Sequence, residues 1–200
     1  MNTMAASPNE RRKSKTREDI IDTAHRMIIQ GGLERLSLRA LADGIDYSPA
    51  ALYRYFDSKN DLIDSVRDRC FSRLNAYILR RVQSCVTAAE QLFQGGLAYI
   101  EYAAQHPADY HLMFQLEPSH VTRLENRDTT MQALIAIIQT GIETGEFKPR
   151  EGYSSRTIAY HCWVTVHGLA MLQTTILQDE VKDVQIMSHQ ILKAVINGFT

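Results

Sequence analysis

Apolar residues recur along this chain at intervals of three and four, and the alternation of a half-buried strand is missing, so the chain reads as all-α with about nine helices. The first begins near Thr16, where Thr16-Arg17-Glu18-Asp19 resembles a capping box with Asp for Glu, carries Ile20, Ala24, Met27 and Ile28, and ends at Gly31-Gly32. A short second helix opens at the N-cap Ser37, carries Leu38, Leu41 and Ala42, and stops at Gly44. Ser48-Pro49, an N-cap followed by proline at the first helical position, opens a third over 49–55. Ser58 with Asp61 caps a much longer fourth, whose stripe is Ile63, Val66, Cys70, Leu74, Tyr77 and Ile78.

Beyond it, Thr87 to Glu90 caps a fifth helix that His106-Pro107 terminates, a sixth covers 108–116 and a seventh 121–143. After the linker Lys148-Pro149-Arg150-Glu151-Gly152, residues 157–177 run 21 positions without an Asp, Glu, Lys or Arg. That is about the length that spans a bilayer, but His161, His167, Gln173 and several threonines argue against insertion. The stretch reads as a helix buried on nearly all sides, in a deep core or at a subunit interface. A ninth helix over 182–197 places Val184, Met187, Ile191, Ala194 and Gly198 on one stripe. Two adjacent C-terminal helices with wide apolar faces suit a helical dimer interface.

The charge is divided between the two ends. Across the 200 residues the net charge is −1, yet 1–81 carry 15 Lys/Arg against 11 Asp/Glu while 82–200 carry 7 against 12. A basic end on an acidic body suits one end for a polyanion. With 44% hydrophobic residues the chain is a folded protein rather than a disordered polyelectrolyte. Cys70, Cys85 and Cys162 show no CxxC spacing and read as apolar residues of a reducing compartment, and the N-terminus lacks a secretory signal, so the expected location is the cytoplasm. Residues 1–13 read as a flexible basic arm, and Arg11, Arg12, Lys13, Lys15 and Arg17 would add nonspecific attraction to phosphates.

Two short helices joined by a tight turn, backed by a supporting helix at the basic end, form a candidate helix-turn-helix. The segment 49–55 is too short to persist alone and needs docking onto the first and fourth helices. A recognition helix has that same need: rigid backing, and one free face to enter a major groove about 12 Å wide. Leu52 and Phe56, four apart, form its natural core pair. Tyr53 and Tyr55 face different sides, with Tyr53 assigned to the surface.

The run from Ser37-Leu38-Arg39-Ala40-Leu41-Ala42 through Ser48-Pro49-Ala50-Ala51-Leu52-Tyr53-Arg54-Tyr55-Phe56 to Lys59 and Leu62 resembles the DNA-binding region of the tetracycline-repressor (TetR) family of bacterial transcriptional regulators. The resemblance covers about 14–64, carried by the spacing of Leu52, Tyr53, Phe56, Lys59 and Leu62. Pro107-Ala108-Asp109-Tyr110-His111-Leu112-Met113-Phe114 and Trp163 with His167-Gly168 are similar to a C-terminal subgroup marked by a Trp and a His-Gly. The resemblance implies a helix-turn-helix domain over 14–62 and an effector-binding and dimerisation domain over 63–200. It places Arg39, Tyr47, Ser48, Ala50, Ala51, Tyr53, Arg54, Tyr55 and Lys59 at the DNA. Ser48, Ala50 and Ala51 lie nearest the base edges, and Tyr53, Tyr55 and Lys59 match phosphate-holding positions. Ala50 and Ala51 depart from readers rich in Gln, Asn or Thr, which shifts base readout toward Arg39, Tyr47, Ser48, Arg54 and thymine methyl contacts.

For the effector, Tyr110, Met113, Phe114, Trp163 and His167 are the candidate pocket residues, since an apolar cavity with a few polar groups is how helical bundles hold small molecules. His161 and His167, six apart around Cys162, do not share a helix face, and with His106 and His111 they are expected to hold no metal. No cofactor is expected, and no nucleophile with a base and an orienting group suggests an enzyme. The resulting expectation is a homodimeric repressor, joined through the last two helices and released from a palindromic double-stranded DNA operator by a small-molecule effector, without membrane association. A DNA-bound activator or an effector-independent regulator is the alternative.

Overall fold

A computed structural model describes residues 7–115 and 125–200, and among these it is all-helical, with nine α-helices and a short 3-10 turn. The chain divides into two compact units, 1–69 and 70–200, with the border inside a helix.

The N-terminal unit holds α1 (Pro8–Gly31), the 3-10 turn Leu33–Arg35, α2 (Leu38–Asp43), α3 (Pro49–Leu52) and the first half of α4 (Lys59–Val82). Its core is the stripe Ile20, Ile21, Ala24 and Ile28 of α1 packed with Leu36, Leu41, Ala42, Leu52, Phe56, Leu62 and Val66, all buried. Arg69 of α4 pairs with Glu18 and Asp22 of α1. One turn away Arg17 donates to Ser65 Oγ at 2.8 Å and lies 4.9 Å over the Phe56 ring. These links fix the two long helices that support α2 and α3.

Two boundaries differ from the sequence reading. The first helix starts at Pro8, not near Thr16, so 8–13 form helical turns where a flexible arm was expected; residues 1–6 lie outside the described residues. The cause is a full capping box: the Glu10 amide donates to Ser7 Oγ at 3.2 Å, the Ser7 amide donates to Glu10 Oε2 at 2.7 Å, and Pro8 presets the first helical φ. These bonds hold the Glu10 carboxyl below its ordinary range. The third helix is shorter than 49–55: after Leu52 the bonds tighten to Arg54 N–H on Ala51 O and Tyr55 N–H on Leu52 O, closing a turn rather than a second helical coil. The start of α4 agrees with the sequence, since Asp61 N–H donates to Ser58 Oγ at 3.1 Å and the Asp61 carboxylate reaches back to the Asp57 N–H at 3.0 Å.

The C-terminal unit contains the rest of α4 with α5 (Ala88–Gln105), α6 (Pro107–Phe114), α7 (Glu125–Glu143), α8 (Ser155–Thr175) and α9 (Val181–Asn197). The expected positions 116 and 121–124 lie outside the described residues. Thr87 and Glu90 form the capping box expected of α5. That helix is central: it packs against α6, α7, α8 and α9. Gly96 permits this closeness, because a Cβ there would stand 3.1 Å from Leu192 and 3.3 Å from Val166. Phe147 lies against Gly141, and Lys148 N–H donates to Phe199 O at 2.6 Å, tying the linker to the C-terminus.

The eighth helix is not buried on nearly all sides within the chain. Its inner face (Ile158, Ala159, Val166, Ala170) is covered, but Val164 is 62% exposed and Leu172 43%. On α9 the covered stripe is Val184, Ser188, Leu192 and Ile196, whereas Met187, Ile191, Ala194 and Gly198 from the expected stripe face outward. Among the described residues no helix is long and apolar enough to cross a membrane.

Candidate nucleic-acid interface and internal cavity

The short α2 and α3 are held by their own caps. Ser37 Oγ accepts from Ala40 N–H at 3.0 Å, and Ser48 Oγ accepts from Ala51 N–H at 3.2 Å. Between them Tyr47 N–H closes on Ala42 O at 2.9 Å, and the turn passes through Asp46 in the left-handed region at φ 57°. Gly44 caps α2 with an ordinary φ of −72°, so the left-handed position falls two residues later than its glycine.

This arrangement leaves the candidate contacts on the surface. Arg39, Tyr47, Ser48, Ala50, Tyr53 and Arg54 are exposed, and Ala51, Tyr55 and Lys59 are half-buried. Beneath them Leu52 and Phe56 are buried. Ser48 uses its oxygen as an acceptor within the cap, which leaves its hydroxyl proton to donate outward. Tyr53, 57% exposed, ends α3 with its phenol free of the core. The face thus offers cationic and hydroxyl donors beside two alanine methyls, a set that can hold phosphate oxygens and touch base edges.

In the C-terminal unit α4, α5, α7, α8 and α9 line a cavity of about 310 Å³. Its wall includes Ile78, Leu79 and Val82 of α4, Gly95 and Gly96 of α5, and Ala133, Leu134 and Ile137 of α7. Across from these stand Cys162, Trp163 and Val166 of α8 and Leu192, Val195 and Ile196 of α9. A smaller compartment of about 110 Å³, bordered by Phe71, Phe114, Gln132, Arg156 and Tyr160, shares Tyr99, Thr130, Leu134 and Trp163 with it.

The five candidate pocket residues fall into different roles. Trp163 belongs to both walls and Phe114 to the smaller one. Tyr110 and Met113 are wholly buried and border neither compartment. His167 stands behind Trp163, its ring stacked on the indole with centroids 5.4 Å apart. Its Nδ1 lies 2.8 Å from Tyr110 Oη and 3.1 Å from Tyr99 Oη, so two phenols share one ring nitrogen. Burial pushes the Tyr99 phenol up to about 12 and the Tyr110 phenol higher, and it lowers His167, so this cluster is uncharged at neutral pH. Burial also pushes the Cys162 thiol up to about 11, which keeps it protonated and inert.

Most of the wall lies outside the five candidates Tyr110, Met113, Phe114, Trp163 and His167. The available signal was Gly95-Gly96 within an otherwise strong helix, since a glycine pair there removes side-chain volume from one face.

Comparison with known proteins bears on both units. Residues 20–66 match the family described as bacterial regulatory proteins, tetR family, and residues 92–187 match the tetracyclin repressor-like C-terminal domain. The HTH-type transcriptional repressor KstR of Mycobacterium tuberculosis is 37% identical over 76 residues, 38% of this chain but only 34% of that repressor's own length. KstR2 of Mycobacterium tuberculosis is 25% identical over 156 residues, covering 74% of this chain and 75% of the relative. Among solved structures, a protein of unknown function from Rhodococcus sp. RHA1 superposes with a TM-score of 0.78 at 24% identity, over 92% of this chain and 94% of that one. The regulator FadR from Bacillus subtilis, in complex with stearoyl-CoA, superposes with a TM-score of 0.71 at 19% identity, over 92% and 99% of the two chains. At these identities the structural likeness is one of fold.

Proposed function

Because the chain belongs to the tetR family of bacterial regulatory proteins, we propose that it is a homodimeric transcriptional repressor that occupies a near-palindromic operator and leaves it when a small molecule fills the C-terminal cavity. The observation that carries this reading is the capped α2-turn-α3 unit, whose nine candidate contacts all reach the surface above a buried Leu52 and Phe56. KstR and KstR2, both transcriptional repressors, support the repressing sense. We place this work in the cytoplasm and assign it no catalytic step.

Dimerisation is supported by the bare apolar face of the last two helices. Val164, Gly168 and Leu172 follow one another at intervals of four on α8, and Ile186, Met187 and Ile191 are exposed on α9. A Cβ added at Gly168 would meet nothing within 4 Å among the described residues of its own chain, so packing inside the subunit gives no reason for the glycine. A second copy of the helix approaching at that point accounts for it. Trp163 with His167-Gly168 supports placing the C-terminal half in the Trp/His-Gly subgroup. Two recognition helices then lie about one turn of DNA apart, roughly 34 Å. Release requires an effector that prefers the non-binding state, with a coupling typically of about 1 to 3 kcal/mol.

The test is footprinting of the purified protein on DNA upstream of its own coding region at two salt concentrations, with selection of bound fragments from the whole genome in parallel. A protected palindrome of two half-sites is expected. Failure to enrich any sequence in the genome-wide selection would overturn the reading.

A further inference from the structure

Resting on the effector reading above, we infer that the ligand is an amphipathic molecule with one anionic group: its apolar body fills the larger cavity, and its anion lies in the smaller compartment against Arg156. No charged side chain borders the larger cavity among the described residues. A charge placed there would lose its hydration with no counter-charge to replace it, so the part of the ligand it holds is neutral and apolar.

The smaller compartment differs in kind. Arg156 is the only charged residue of its described wall, and Gln132, Thr130, Tyr99 and Tyr160 add polar groups around it. Arg156 lies 5.5 Å over the Tyr160 ring, which orients the plane of its guanidinium, and no ion pair to it is recorded among the described residues. It sits in the first turn of a 21-residue helix that has no acidic residue there, so the helix end favours an anion as well. A guanidinium with its fork unfilled at the mouth of an apolar chamber suits a carboxylate or phosphate oxygen pair. The four residues common to both walls let one molecule span them. Among these, Tyr99 keeps its proton and stands where body meets head.

Trp163 is the only tryptophan in the chain and borders both compartments, so its fluorescence reports occupancy without DNA. The experiment titrates the full-length protein with dodecanoate, dodecan-1-ol and dodecylammonium below their micellar concentrations, and repeats the series with Arg156→Met. Dodecanoate should bind roughly five- to tenfold more tightly than the alcohol and exclude the ammonium. Arg156→Met should remove that advantage, with a circular dichroism spectrum equal to wild type showing that the variant is folded. Equal affinity of acid and alcohol for the wild type, an unchanged dodecanoate affinity in Arg156→Met, or no response of Trp163 to any of the three probes would each overturn the assignment. Arg156-dependent binding of dodecanoate that leaves the operator footprint intact would instead sink the effector reading and leave the head-group assignment standing.

Discussion

Asp46 occupies the left-handed region at φ 57° in the turn that sets α3 against α2. Aspartate tolerates that conformation better than most L-residues, yet glycine adopts it without strain. Asp46→Gly should therefore hold or raise stability by up to about 1 kcal/mol, and Asp46→Val should lower it by more than about 1 kcal/mol, both read from urea unfolding. Lys59, half-buried at the start of α4, calls for a different measurement. If its ammonium holds a phosphate, Lys59→Ala weakens binding to all DNA sequences alike and flattens the log K against log salt slope by about one unit; a slope equal to wild type would remove it from the interface. His167 makes stability depend on pH. Burial lowers its folded pKa below the ordinary 6.5, so the unfolded chain takes up the proton first. Its stabilisation is present above pH 6.5 and is lost as the pH falls through the lower folded value. Unfolding at pH 7.5 and 5.5 should show that decline, and His167→Gln should make it shallower.

At the scale of elements, the helices were legible because each is written in local chemistry. Ser48-Pro49, Ser58 with Asp61 and Thr87 with Glu90 all cap as their sequence indicates. Ser7-Pro8-Asn9-Glu10 carries the same signature, but the basic residues that follow it resemble a solvated arm and Thr16 to Asp19 offer a competing box. The faces of α8 and α9 were harder to assign. Both helices are apolar on two sides, and the period of a stripe says that a face is covered without saying whether its own chain or another covers it. Val164 and Met187 are exposed in the single chain, whereas Val184 is covered by it. A bulky residue at Gly168 separates the two kinds of cover. A Cβ at Gly168 meets nothing within 4 Å among the described residues of its own subunit, so Gly168→Phe should leave helix content intact and shift the protein to monomer in analytical ultracentrifugation, with loss of operator binding. A variant that stays dimeric would place the interface elsewhere.

For the molecule as a whole, the class and order of the helices could be read from periodicity and caps, and the helix-turn-helix from its dense local pattern. The cavity could not be read in that way. Its walls come from five helices spread over residues 75–196, and an empty volume arises from how far apart backbones stand, which no single segment encodes. The border between the two compact units falls between residues 69 and 70, in the interior of the 24-residue α4 rather than in a loop. Opening α4 at Arg69, Cys70 and Phe71 means breaking its helical ladder, a net loss of about 1 kcal/mol for each hydrogen bond before side chains are counted. Amide exchange at those positions therefore reads the free energy of opening this stretch of helix, and a protease finds no slack segment to cut there. A ligand that slows exchange there has stabilised this stretch of α4, and one that speeds it has weakened it.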